Sequence, residues 1–391
     1  VIAAAVSMYE RAGEGMPARP PKTRPAPIAW TPALPDLDPP EPSSAVPTLV
    51  RAGEQEIEER VRAYAGELAK MWTRHPEELV DVVAHAATKA GGSQPVSLLL
   101  AIAHAETNGN ILTVSEAGAV GLAQATPVAI QQEAVPGKLF VTNDYLVGAR
   151  AYITKKPLGD ADTIASIVLL HDTPKTRARA KRLLKSAMAL RREGLDELDL
   201  LAPFAPDVFF TRIEAADRHN RAILGRLERL LAKGSRAEIR GFRNEVRREY
   251  RALKAMQVAS WKQYQRDLAA RRDAMLERQF GRDADFVRRE MTYEAAEYLG
   301  EHLDVRFSAK RMAEFLVSHL ERKVTEARKL ASSEREIESM TAALYNGGSH
   351  NVKRMLAGLI GSLPETQKYM KKVPATRRRL DAVAGSAFGG R

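Results

Sequence analysis

Apolar residues recur at three- and four-residue steps through almost the whole chain beyond Gln55, and strict alternation is nearly absent. That period belongs to helices packed on one side, so it argues against any sheet-based fold. Ile57, Val61, Tyr64, Leu68, Met71 and Trp72 open the pattern, and Glu77 to Lys89 continues it to a stop at Gly91-Gly92. Ser93 and Pro95 form a start signal, a capping residue and a first-turn proline, for the helix in "PVSLLLAIAHAE". Further helices are read in "NDYLVGARAYITKK", in "ADTIASIVLL" and in a basic stretch from Arg177 to Arg192 closed by Gly194. Two long series follow. Ile213, Ile223, Leu227, Leu230 and Leu231 mark one arm, and Ile239, Phe242, Val246, Tyr250, Leu253, Trp261, Tyr264 and Leu268 the other, with Gly234-Ser235 between. This spacing predicts an antiparallel helical hairpin, roughly Thr211 to Phe280, projecting from the rest. No repeat of fixed period is present, and the fold class is mainly α.

The N-terminal part differs in kind. Residues 17–47 hold 11 of the 21 prolines, so this segment reads as an extended tail or linker, with a docking motif as the alternative. The chain begins at Val1 rather than Met, as a processed or truncated product would, and any export signal is then unseen. There are no cysteines, which excludes a disulfide scaffold and thiolate chemistry. No run is long enough for a membrane span. The net charge is +11, and Thr211–Glu290 alone carries 21 Lys and Arg against 12 Asp and Glu. An anionic partner therefore fits, an acidic wall polymer or an acidic protein. Few aromatics interleave with the basic residues and no nucleic-acid module is present, so no nucleic-acid partner is expected. The eight histidines are scattered without ligand spacing, and neither a metal nor a cofactor is expected.

Chemistry is concentrated around Glu106. Leu99, Ile102, Ala103 and Glu106 fall at i, i+3, i+4 and i+7, which puts a carboxyl on the apolar stripe near the end of its helix, with Asn108-Gly109 as a stop. Burial disfavours the charged form of a carboxylate and raises its pKa. A carboxyl kept protonated near neutral pH can donate a proton to an ether oxygen, the requirement for breaking a glycosidic bond.

The stretch that follows is distinctive. "ETNGNILTVSEAGAVGLAQATP" resembles the signature of the soluble lytic transglycosylase family, within the lysozyme-like superfamily, through Glu106-Thr107, Ser115, Gly118-Ala119, Gly121-Leu122, Gln124 and Pro127. Ala123 and Thr126 stand where that family often has Met. Two further stretches are similar to family motifs in the same order. "ALYNGG" holds Tyr345, Asn346 and Gly348, and "LPETQKYMKKV" holds Pro364, Glu365, Thr366 and Tyr369. The resemblance covers roughly 84–152 and 334–373, and implies a lysozyme-like domain interrupted by a long helical insertion. The organisation expected is a Pro-rich tail (1–50), a first part of the catalytic domain (51–153), the insertion with its basic hairpin (154–333), and a second part with a basic tail (334–391).

The resemblance implies peptidoglycan glycan strands as substrate and a transglycosylase reaction, in which the product closes as 1,6-anhydro-N-acetylmuramic acid. Glu106 would be the catalytic acid and then base. Ser115 and Gln124 would line the cleft, Tyr345 would orient Glu106, Asn346 would bind substrate, and Gly118 and Gly121 would let the loop backbone approach it. The alternatives are a water-using muramidase with a second carboxylate such as Glu133 or Asp144, and a structural component of a virion or secretion machine that carries a local wall-opening domain. Glu116 reads as solvated. The expected location is the bacterial envelope or periplasm, or a phage virion acting on the envelope.

Overall fold

Short polar side chains fix where the helices begin. Thr126, Thr142, Thr173, Ser235, Thr292, Ser308 and Ser333 each lie in extended backbone and accept a hydrogen bond from an N–H of the following turn. Such a cap satisfies one of the donors a helix start leaves unpaired. Thr173 and Ser235 are met by reciprocal bonds from Thr176 and Glu238, forming capping boxes.

The computed structural model describes residues 47–91, 94–361 and 363–388. These residues are mainly helical. The helices are α1 (Pro47–Lys70), α2 (Pro76–Lys89), α3 (Val96–Thr107), α4 (Pro127–Gln132), α5 (Asn143–Leu170), α6 (Pro174–Asp199), α7 (Asp207–Lys233), α8 (Arg236–Phe280), α9 (Ala284–Glu290), α10 (Tyr293–His302), α11 (Ala309–Arg328), α12 (Glu334–Gly347), α13 (Ser349–Leu356) and α14 (Pro364–Phe388). The only β pairing among the described residues is two isolated bridges, Val114 with Val120 and Val120 with Ala125, in the loop after α3. Most of the Pro-rich tail, and Ser93, lie outside the described residues. The N-cap of α3 is Pro95 itself.

The α3 helix is buried on nearly every side. Leu98 to His104 are all buried, so the helix carries an apolar surface all round rather than the single stripe read from the spacing. It is wrapped by a core that includes Leu68 of α1, Leu79 and Val83 of α2, Leu316 and Leu320 of α11, and Val373 of α14. Full burial of each such side chain is worth about 1.5–3 kcal/mol. That packing makes the C-terminal end of α3 a fixed platform for Glu106.

A second core lies between α5, α6, α7 and the first half of α8. Leu158, Ile164, Leu184, Leu224, Leu227, Ile239, Phe242 and Val246 meet there. Helix α8 runs antiparallel along α5 from end to end. Tyr145 faces Tyr264 at 5.0 Å between rings, Tyr152 faces Trp261 at 5.4 Å, and Asp162 takes Arg243 at 2.9 Å. At Gly148 an added Cβ would stand 2.3 Å from the Trp261 ring, so only glycine lets the two helices approach this closely.

The projecting hairpin is therefore corrected. Gly234-Ser235 does turn the chain, but both arms lie on α5. Asn220 of α7 donates to the Thr154 carbonyl at 3.0 Å, and the C-terminal half of α8 places Tyr264, Leu268 and Leu276 in the core that surrounds α3. Two series of apolar residues on consecutive helices do not specify which partner they face, and here Leu158 and Ile164 of α5 join the core that both arms build. Helix α5 is continuous from 143 to 170, through Pro157, so the division drawn at 153/154 falls inside one helix. Helix α6 likewise continues through Gly194, where the missing side chain admits His350, whose Cε1 would be 3.2 Å from a Cβ.

Candidate active site

Glu106 occupies the last turn of α3, and Asn108 ends the helix in left-handed backbone, φ 52°. The Asn110 N–H donates to the Thr107 carbonyl at 2.9 Å, and the loop that follows is tied at Ala123 to Tyr345 of α12. Glu106 is half-buried. Burial pushes its pKa up to about 7, against a smaller downward pull from the Tyr369 hydroxyl and from the Lys372 ammonium. It thus combines partial access with a proton retained near neutrality.

Two helices close around the carboxyl. Tyr369 of α14 couples to it as a hydrogen-bond donor, although the contact falls short of standard geometry. Tyr345 of α12 lies within electrostatic reach, but its hydroxyl donates to the Ala123 carbonyl at 2.9 Å. The expectation that Tyr345 hydrogen-bonds Glu106 is thus corrected: Tyr345 fastens the loop to α12, and the hydroxyl that lowers the Glu106 pKa is that of Tyr369, which closes no hydrogen bond of standard geometry. The two tyrosine rings lie parallel, 6.4 Å apart at 3°. Both hydroxyls are raised well above the usual phenol range, by burial first and by Glu106 second, so both stay protonated as donors.

The loop from Ile111 to Pro127 is built on itself. The Ser115 hydroxyl accepts from the Ala119 N–H at 3.0 Å, and Gln124, at φ 44°, donates its amide to the Gly121 carbonyl at 3.0 Å and to the Thr113 carbonyl at 3.4 Å. Ser115 and Gln124 hold the loop in shape. Asn346 is exposed, and its side-chain oxygen accepts from Thr366 Oγ1 at 3.1 Å, which joins α12 to α14. The structure therefore brings Glu106, Tyr345 and the Gln124 loop together, with Asn346 at the α12–α14 junction.

The glycines of the loop were expected to admit substrate. Their observed neighbours are internal. A Cβ at Gly118 (φ 75°) would be 2.7 Å from the Tyr264 ring, and one at Gly121 (φ 73°) would be 1.8 Å from the Arg306 carbonyl oxygen. Both residues also need left-handed backbone that other residues rarely adopt. The groups they pack against come from the segment read as an insertion.

Arg306, in the short 3₁₀ turn Val305–Phe307, was not anticipated from the sequence. It is fully buried. Its guanidinium pairs with Asp304 through Nε at 2.9 Å and Nη2 at 2.7 Å, and donates to the Tyr264 hydroxyl at 2.5 Å and to the Gly118 carbonyl at 2.7 Å. Asp304 also accepts from the Phe140 N–H at 3.0 Å, and Tyr264 donates to the Phe140 carbonyl at 2.9 Å. A buried charge needs such full pairing. The clamp fixes the loop that follows α3. A charged Asp-x-Arg within an apolar surround ("HLDVRFSAK") was the available signal.

The other carboxylates are differently placed. Glu133 is held by Arg322 Nε at 2.7 Å and lies 2.9 Å from His319 Nδ1. Burial would raise it, but the bonds to His319 and Arg322 outweigh burial and hold it below the usual range. Glu116 is exposed. Asp144 sits in the first turn of α5, where a negative charge complements the helix N-terminus. Among the described residues no group of three or more His, Asp and Glu is arranged to hold a metal ion, and none of the described helices is long and apolar enough to cross a membrane.

No family model, curated protein or solved structure matches the chain.

Proposed function

We propose that the protein is a peptidoglycan lytic transglycosylase, a lysozyme-like enzyme in which Glu106 is the only catalytic carboxyl. The observation that carries this reading is the placement of Glu106, partly accessible at a helix end, protonated up to about pH 7 and faced by two tyrosines. Glu106 donates its proton to the oxygen between N-acetylmuramic acid and N-acetylglucosamine, and the C1–O bond breaks. The substrate's acetamido group stabilises the positive charge at C1, an exception to the two-carboxylate scheme. The Glu106 carboxylate then takes the proton of the muramoyl 6-hydroxyl, whose oxygen bonds to C1 and closes the anhydro ring. The acid is restored in the same cycle.

The muramidase reading needs a second carboxylate free to activate water. Glu133 is committed to Arg322 and His319, which disfavours it. Glycan strands are the proposed substrate, at the bacterial envelope or from a virion acting on it. The exposed basic residues of α6 and α8 fit an anionic wall polymer or an acidic protein as a secondary partner.

The pH profile of wall clearing tests the acid. The protonated form is the active one, so kcat/KM is expected to be level below pH 7, to halve near 7 and to fall about tenfold per unit above it. Lys372 pulls the Glu106 pKa down, so Lys372→Met is expected to move that alkaline limb upward. An alkaline limb centred near pH 4.5, the value of an unperturbed carboxyl, would contradict the assignment.

A further inference from the structure

His319 of α11 is a buried imidazole that the proposed chemistry does not use. A buried polar group is costly unless it is paired, so an apolar side chain would fill this place more cheaply. His319 is paired. Its Nδ1 lies 2.9 Å from Glu133 Oε1, and Arg322 Nε donates to the same oxygen at 2.7 Å. Burial pushes the His319 pKa down to about 4, while the bonds to His319 and Arg322 hold Glu133 below the usual carboxylate range. The imidazole is therefore neutral beside an ionised carboxylate, so Nδ1 carries the proton and donates it. That bond fixes how the ring is turned.

The ring lies in a row of four. Phe315, one turn earlier on α11, stacks on His319 with centroids 4.9 Å apart and planes at 21°. The Tyr345 ring of α12 stands nearly perpendicular to His319, 5.4 Å away at 83°. Tyr369 of α14 lies parallel to Tyr345 at 6.4 Å. Each spacing falls within the range of about 4.5–7 Å over which aromatic pairs attract.

His319 also meets both fastenings of the loop. The Tyr345 hydroxyl donates to the Ala123 carbonyl at 2.9 Å, inside the loop. Glu133 closes α4, the helix into which the loop runs, and Arg322 Nη2 adds a bond to Gln132 Oε1 at 2.9 Å. The segment is thus held at Ala123 by a tyrosine packed on His319, and at Glu133 by His319 itself. A residue needed only to fill the core has no use for the second contact.

We propose that His319 is a positioning residue of the site: its ring, turned by the bond to Glu133, holds Tyr345 in place and so sets the loop that Tyr345 fastens. The consequence for catalysis rests on reading Glu106 as a glycan-cleaving acid, whereas the hold on the loop does not.

Wall cleavage and amide deuterium uptake, both measured on the full-length protein, test it. His319→Asn keeps a donor for Glu133 and removes the ring. It is expected to lower kcat about tenfold with KM within about twofold, and to speed exchange in residues 111–127 about tenfold while the helices of the second core stay as protected as in the native protein. His319→Phe restores a ring, with Glu133 still paired to Arg322, and is expected to bring both readouts back to within about threefold of native. Tyr345→Phe removes the hydroxyl that holds Ala123 and is expected to reproduce the losses of His319→Asn. The double variant His319→Asn, Tyr345→Phe is then expected to lose no more than Tyr345→Phe alone. Native exchange in the loop of His319→Asn, losses that multiply in the double variant, or equal losses in His319→Phe and His319→Asn would each overturn the role. Faster exchange spread evenly over all the helices would show a core residue only, and would overturn it too. The expected exchange pattern in a native protein that cleaves no glycan would overturn the glycan reading and leave the hold on the loop standing.

Discussion

Glu106→Gln is expected to fold normally and to lose about 10²–10⁴-fold in the rate of wall clearing, the usual contribution of a positioned general acid. The substitution keeps the shape of the side chain and removes the proton that the proposed reaction sends to the glycosidic oxygen. It has a second consequence for stability. The folded-state pKa of Glu106 is raised, so folding favours its protonated form. Below about pH 4.5 the group is protonated in both states and costs nothing. As pH rises towards 7 the unfolded chain ionises first, and the native protein loses stability relative to it. Above 7 the penalty is complete, up to about 3 kcal/mol for a shift of this size. Thermal melts of the two proteins are expected to coincide at pH 4 and to separate at pH 8, where Glu106→Gln melts higher. A variant that is both inactive and more stable at pH 8 identifies a residue held in a costly state for function. Near-normal wall clearing by Glu106→Gln would remove Glu106 from the chemistry.

Arg306→Met is expected to destabilise the protein by about 3–5 kcal/mol, the cost of breaking a buried ion pair from one side. The fully buried Asp304 would be left without its cation, and the Gly118 carbonyl without its donor. The loop that follows α3 would lose its anchor, so activity is expected to fall at temperatures where the variant is still folded. Urea unfolding of Arg306→Met, Asp304→Leu and the double variant gives the coupling. The double variant is expected to be less destabilised than the two single changes added together, because neither charge is then left alone. Additive losses would show that the two side chains act independently and that the clamp does not exist.

The parts of this site that were legible in the sequence are those with local signatures. Glu106 stands in an apolar helix before a glycine loop, and Tyr345 and Asn346 follow in a recognisable order. Helix content was legible for the same reason, since a period of 3.6 is written in the chain itself. What was not legible is which surfaces meet. The apolar face of α8 fits a projecting hairpin and a helix laid on α5 equally well, and only three-dimensional packing decides between them. Gly118 and Gly121 were read as room for substrate because the residues they actually face, Tyr264 and Arg306, lie far along the chain. Arg306 left only a weak trace, since a single Asp-x-Arg gives no indication of burial. The exposure and left-handed backbone of Trp72 were likewise invisible, because its spacing matched the core series of α1.

The central claim, that a single carboxyl performs the whole reaction, is tested most directly by mass spectrometry of a peptidoglycan digest made with the native protein. An intramolecular attack by the muramoyl 6-hydroxyl releases muropeptides that end in 1,6-anhydro-N-acetylmuramic acid, each lighter by one water than a hydrolytic product and unchanged by borohydride. The account predicts that these dominate. Products that are mostly reducing, heavier by one water and converted by borohydride, would contradict it and assign a water-activating base to the site.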